Sequence, residues 1–156
     1  MNEDERVKFI AQNRKARHDY SIEDTVEAGI ALIGTEVKSL RMGRASLNDS
    51  YADVVDGEVF LRNAHIDQYE PAARQNHDPT RPRRLLLHKR EIRKLAAKVA
   101  ERGYTLVPLS LYFREGKVKV NLALARGKKS YDKRDAIREK DLRRDMERSV
   151  RGKDPI

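Results

Sequence analysis

The stretch Gly127-Lys128-Lys129-Ser130-Tyr131-Asp132-Lys133-Arg134 sets two pairs of cations around one aromatic ring. Cations bind phosphate and an aromatic face stacks on a base, so these residue types suit a nucleic-acid backbone with an unpaired base nearby. A solvated hinge between a folded body and a trailing segment would carry the same charges. A second basic cluster, Asn13-Arg14-Lys15-Ala16-Arg17-His18-Asp19-Tyr20, also ends in an aromatic residue. It reads equally as a solvated lead-in and as a phosphate-contacting strip in which Arg17 and His18 take part. Other chemistries lack their residues. His18, His65, His77 and His88 are not at the i, i+4 spacing of a helical zinc pair, and HExxH is missing. Gly127-Lys128-Lys129-Ser130 is not a phosphate-binding loop, because Leu122 stands where its first glycine belongs and Ser does not follow the first Lys. There is no GxSxG and no cysteine, hence no disulfide, thiolate site or cysteine nucleophile. The carboxylates sit among cations, where surface pairing accounts for them. The expectation is a binding protein without catalytic residues, metal or cofactor.

Composition agrees. The chain has 156 residues, 38% of them charged, with a net charge of +9 and a pI of about 9.8. That balance attracts a polyanion: RNA, DNA or an anionic membrane. The membrane is the weaker choice, since no apolar run approaches the roughly 20 residues that span a bilayer. The start, Met1-Asn2-Glu3-Asp4-Glu5, lacks the basic and apolar regions of a signal peptide. A cytoplasmic protein is expected.

The positioning elements follow from pattern. Residues 1–14 are polar and unpatterned and read as a mobile arm. Residues 20–32 alternate as a strand, with a phase break near Asp24-Thr25 that suits a bulge. Glu27 falls opposite Val26 and is expected outside, as surface solvation or as an acceptor for a base edge. Thr35 is an expected N-cap for a short helix from Glu36 to Met42 closed by Gly43. Val37 and Leu40 should face inward, leaving Lys38, Arg41 and Arg44 as a cationic rim. Asp56-Gly57 predicts a two-residue type I′ turn in a hairpin within residues 50–66. Residues 69–84, with Pro71, Pro79 and Pro82, read as a loop, and Leu85-Leu86-Leu87 leads into a helix over residues 89–102. That helix turns Ile92, Leu95, Ala96 and Val99 inward, and its charged opposite face reads most simply as solvated.

A second hairpin spans residues 105–113 and 117–126, with Val107, Leu109, Leu111 and Phe113 alternating on one strand and Val118, Val120, Leu122 and Leu124 on the other. Lys117, Lys119 and Asn121 then share its outer face. Pro108 suggests a strand edge or start. Beyond Arg134, residues 135–150 are rich in helix formers, but the stripe of Leu142, Met146 and Val150 is too narrow to hold a lone helix in water. The segment is expected to be disordered when free and helical when bound. The expected class is mainly β with flanking helices.

The chain resembles the bacterial SsrA-binding protein family, also called small protein B. The matching segments run in family order over nearly the whole chain. They are Asn13-Arg14-Lys15-Ala16-Arg17-His18-Asp19-Tyr20, Glu27-Ala28-Gly29-Ile30, Gly34-Thr35-Glu36-Val37-Lys38-Ser39-Leu40-Arg41, Asp78-Pro79-Thr80-Arg81 with Leu85-Leu86-Leu87, Leu109-Ser110-Leu111-Tyr112, and Gly127-Lys128-Lys129 with Asp132-Lys133-Arg134. The resemblance implies an oligonucleotide-binding-type (OB-like) antiparallel β-barrel over residues 15–130 and a basic tail over residues 131–156. It implies a partner, transfer-messenger RNA bound at its tRNA-like domain, and delivery to ribosomes stalled on messages without a stop codon. The protein would stand in for the missing anticodon arm while its tail enters the decoding centre and the empty mRNA channel. Elongation factor Tu enters through the RNA, and the protein is expected to act as a monomer.

The resemblance also implies roles. Glu27 accepts hydrogen bonds from RNA, Leu86 packs on unstacked RNA and Lys119 binds phosphate; Lys38, Arg41, Arg17 and His18 complete the expected RNA-binding set. Gly127, Lys128, Lys129, Asp132, Lys133 and Arg134 match the junction that meets the ribosome. Tyr131 stands where some members have His. Arg138, Met146 and Arg148 are placed in the channel only by the tail's basic, helix-prone character. Two other readings fit the charge. A general RNA-binding barrel, an RNA chaperone or ribosome-assembly factor, would call for a denser aromatic strip. A DNA-compacting protein would be indifferent to sugar type, whereas the first reading requires RNA shape and 2′-hydroxyls.

Overall fold

A computed structural model describes residues 7–101 and 103–128. Its elements are β1 (Val7–Gln12), α1 (Arg14–Asp19), β2 (Tyr20–Ile30), α2 (Gly34–Arg41), β3 (Ala45–Ser46), β4 (Tyr51–Val55), β5 (Glu58–Arg62), β6 (His65–Ile66), β7 (Arg83–Leu86), α3 (Lys89–Ala100), β8 (Tyr104–Arg114) and β9 (Lys117–Gly127). The chain is mainly β, as expected.

The frame is the long β8–β9 hairpin with β2 laid antiparallel along β9. Both hairpins close in the same kind of turn. Asp56 and Gly57 have φ of 51° and 77°, and Glu115 and Gly116 have 51° and 79°, the two consecutive left-handed residues of a type I′ turn. The strand order is β1-β8-β4-β5-β7-β2-β9, and β9 also pairs β8, so the pairing from β8 through β4, β5, β7, β2 and β9 returns to β8. β3 and β6 form a separate pair.

The closed circuit surrounds one core. Even-numbered residues of β9 (Val120, Leu122, Leu124) pack there with Ala28, Leu40, Leu61, Leu85, Leu95 and Leu106. Each buried leucine contributes about 2 kcal/mol. The odd residues Ala123 and Ala125 face the other way, against Ala16 of α1. Their small side chains let this short helix lie close on the sheet.

The structure departs from the sequence reading at several places. Residues 7–12 are not a mobile arm: they form β1, paired with β8 from Arg114 to Ser110. The basic cluster after Asn13, for which the pattern gave no element, is a helix, α1, which buries only Ala16 and leaves its cations to either of their two readings. The expected loop over residues 69–84 ends earlier, because Arg83 and Arg84 open β7 between β5 and β2. Pro108 lies inside β8 rather than at its start, on a side that is locally an edge. It sits at a register shift, where β1 has ended at Ser110 and β4 reaches β8 only at Leu106, so the missing N–H faces no ladder partner. The same shift changes the face of β8: Val107 and Leu109 meet α1, while Leu111 enters the main core.

The expected bulge in β2 is present, between Ile22 and Asp24. α2 begins after Ile33, whose N–H donates to Glu36 Oε1 at 2.9 Å. Thr35 is therefore not the cap; its hydroxyl meets His77 Nδ1 at 2.9 Å. Gly43 follows α2 with φ of 70°, as expected of its stop.

Candidate nucleic-acid interface

The register brings distant residues onto one outer face. Leu86 pairs with Gly29, Gly29 with Lys119, Lys119 with Tyr112, and Tyr112 with Phe9. This single row crosses β7, β2, β9, β8 and β1. Two residues along the strands, a second row runs from Glu27 to Asn121, Ser110 and Gln12. Three expected RNA-binding residues, Glu27, Leu86 and Lys119, thus stand together although they come from three strands. Leu86 is 47% exposed, an apolar side chain held outward by its strand. It lies over Gly29, where an added Cβ would meet its Cβ at 3.2 Å.

Glu27 is outside, as expected, but it is engaged. The Tyr112 hydroxyl donates to Oε2 at 2.5 Å, and Arg114 Nε forms an ion pair with the same oxygen at 3.1 Å. The Arg114 guanidinium lies 5.8 Å from the centre of the Tyr112 ring. Burial, and then the hydrogen bond to Glu27, push the Tyr112 phenol up to about 12. A similar trio lies elsewhere on the same strands. The Tyr104 hydroxyl donates to Glu23 at 2.8 Å, and the Arg126 guanidinium sits 4.3 Å from the Tyr104 ring centre.

Arg17 and the exit of β9 are neighbours. Tyr20 pairs with Gly127, and Lys128 Nζ donates to the Arg17 carbonyl at 3.2 Å. His18 is exposed beside Asp19, with Nδ1 and Oδ1 3.1 Å apart. The first residues of the second basic cluster, Gly127 and Lys128, therefore meet the first cluster at one end of the sheet. Lys129, Tyr131, Asp132, Lys133, Arg134, Arg138, Met146 and Arg148 lie outside the described residues.

Lys38 and Arg41 belong to another neighbourhood. Both are exposed on α2, and Lys38 Nζ lies 5.5 Å from the centre of the Tyr69 ring. Beneath them is an ion network that corrects the expectation of surface-paired carboxylates. Glu36 is fully buried and receives Arg83 Nε at 2.5 Å and Arg81 Nη2 at 2.6 Å. Arg83, also fully buried, donates to the Ala64 carbonyl at 2.8 Å. Burial pushes the Glu36 carboxyl up, but bonds from Arg81, the Ile33 N–H and Arg83 outweigh it, and the net direction is down. Burial lowers Arg83 as well, while Glu36 holds it up. Among the described residues, no group of three or more His, Asp or Glu side chains could hold a metal ion. No described helix is long and apolar enough to cross a membrane.

The family model described as SmpB protein matches residues 10–152. The chain belongs to the SmpB family. It is 63% identical over 143 residues to the SsrA-binding protein of Acidothermus cellulolyticus, covering 92% of this chain and 90% of that one. It is 59% identical over 148 residues to the SsrA-binding protein of Symbiobacterium thermophilum, covering 94% of each. A solved structure described as "tmRNA-SmpB: a journey to the center of the bacterial ribosome" superposes with a TM-score of 0.65 at 55% identity, covering 79% of this chain and 85% of that one. Sequence reasoning within this family picked out Glu27, Leu86 and Lys119 but missed the side chains around them. Tyr112 stood in a matching segment without a role, and Arg114 fell just past the expected strand, at the hairpin turn. Phe9 was hidden in what read as an unpatterned arm.

Proposed function

We propose that this chain is an RNA-binding adaptor in ribosome rescue by trans-translation, working in the cytoplasm. It binds the tRNA-like domain of transfer-messenger RNA, substitutes for the missing anticodon arm, and places its C-terminal tail in the decoding centre and empty mRNA channel of a stalled ribosome. The observation that carries this reading is the gathering of Glu27, Leu86 and Lys119 on one outer face of an SmpB-family chain. A carboxylate, a cation and an exposed apolar side chain on a rigid sheet can address a base edge, a phosphate and an unstacked base together.

The folded unit, from β1 to Gly127, works as an OB-like barrel; the closed strand pairing and the outer-face rows support that reading. Arg17 and His18 extend the RNA contact at one end, and Lys38 and Arg41 form a separate cationic rim. Gly127 and Lys128 begin the junction to the ribosome, followed by Lys129, Tyr131, Asp132, Lys133 and Arg134, with Arg138, Met146 and Arg148 further along. The tail becomes helical in a vacant channel; an occupying mRNA would exclude it, so vacancy itself is the signal. Elongation factor Tu joins through the RNA, and one copy of the protein acts as a monomer.

The test is to purify the protein from its native cells at moderate salt, where loose phosphate contacts are weakened, and to sequence the bound RNA. One dominant tRNA-like RNA carrying a short reading frame is expected. A broad mixture of tRNA, rRNA and mRNA would overturn the adaptor reading in favour of a general RNA-binding protein.

A further inference from the structure

Beside Glu27, an open groove on the outer face is lined by Phe9, Gln12, Arg17, Ser110, Tyr112 and Asn121. Phe9 is 56% exposed, and its ring meets the Tyr112 ring edge-on with centroids 6.0 Å apart. The face of Phe9 is thus held by a neighbour but not covered by it. Gln12, Ser110 and Asn121 stand side by side in register across β1, β8 and β9. Among the described residues, no hydrogen bond engages the side chains of these three. An aromatic face beside a row of uncommitted amides and a hydroxyl, with a cation at its edge, has no structural task that explains it.

We propose that this groove holds one adenine swung out of an RNA loop. The site rests on the RNA-binding reading above and deepens it. The base lies against Phe9; the Gln12 and Asn121 amides meet its edge; Arg17 meets its phosphate. An amide offers a donor and an acceptor side by side, the pattern that adenine returns with its amino group and ring nitrogen. A base within a helix has its faces covered by stacking, so only a loop or bulge can deliver one. A single exposed aromatic side chain takes one base, whereas a sequence-tolerant binder lays a run of bases on several.

The chain contains no tryptophan, so Phe9→Trp places a lone reporter in the groove. The probe is the dye-labelled tRNA-like domain of transfer-messenger RNA, with anisotropy reporting binding and tryptophan emission reporting stacking. Emission is expected to fall in step with the rise in anisotropy. Phe9→Ala should weaken binding by about tenfold. Asn121→Ala and Gln12→Ala should each weaken it by roughly fivefold at an unchanged salt slope, since no phosphate contact is lost. Replacing the RNA's loop adenines by guanine one at a time should reproduce the Asn121→Ala loss at one position, with no further loss in the variant. Tight binding without an emission change, wild-type affinity in both amide variants, or no sensitive adenine would overturn the pocket and leave the adaptor reading standing. Failure of the unaltered protein to bind this RNA would overturn both.

Discussion

The Tyr112 hydroxyl reaches from β8 across β9 to Glu27 on β2, with 2.5 Å between the oxygens. It takes up one carboxylate oxygen together with Arg114 and fixes how the other is presented. Tyr112→Phe should therefore weaken binding to the tRNA-like domain by about tenfold, the loss of one hydrogen bond to a charged group, at a stability cost of about 1 kcal/mol. The phenol supplies its own check. Its folded value is raised to about 12 from an ordinary 10.0, so its contribution to stability is complete below pH 10 and is lost as pH rises through 12. Alkaline absorbance titration should show late-titrating tyrosines, since the hydrogen bond to Glu23 also holds the Tyr104 phenol up, and Tyr112→Phe should remove one of them; a titration with the same number of late tyrosines would refute the assignment.

Glu36 and Arg83 form the opposite kind of pair, wholly buried. Glu36→Gln leaves a buried guanidinium with weakened compensation, and urea unfolding should show a loss of about 3–5 kcal/mol. Because the folded carboxyl lies below 4.5, its contribution is complete above that pH and lost as pH falls through the lower folded value. The wild type should lose stability over that acid range, and the Gln variant should show a shallower slope. Equal slopes would show that other carboxylates dominate.

Gly29 controls Leu86 from the neighbouring strand. Gly29→Ala places a methyl carbon 3.2 Å from Leu86 Cβ, a contact relieved by moving the Leu86 side chain a few tenths of an ångström. RNA affinity should drop roughly three- to tenfold while stability changes by about 1 kcal/mol or less. Combining it with Leu86→Ala in a double-mutant cycle should show the two losses overlapping; full additivity would separate Gly29 from Leu86.

Deleting the chain after Arg134 should leave affinity for the tRNA-like domain within about twofold, because the face of Glu27, Leu86 and Lys119 is intact and the seven Lys and Arg removed are nearly balanced by six Asp and Glu. Peptide tagging on stalled ribosomes in a reconstituted translation system should be lost. A truncation that still tags would remove the proposed role of the tail.

Local chemistry made one hairpin turn and two of the helices readable. Asp56-Gly57 favours the left-handed pair of a type I′ turn wherever it occurs, whereas Glu115 takes its positive φ because the hairpin strands on either side close there. α2 and α3 announce themselves through apolar spacing and a following glycine. Net charge and the missing catalytic and metal motifs were also properties of the chain alone. β1 and β7 were not readable, since each is a strand because of what lies beside it: β8 for one, β5 and β2 for the other. Glu36 and Arg83 look like surface residues by type and become a core pair only when α2 and β7, 47 residues apart, are brought together. The outer face follows the same rule. Register decides which side chains are neighbours, and a shift at Pro108 or Ile22 turns residues to the other side. The amino-acid order set charge and local turns because these depend on near neighbours. Only the tertiary pairing put Phe9, Tyr112, Lys119, Gly29 and Leu86 in one row.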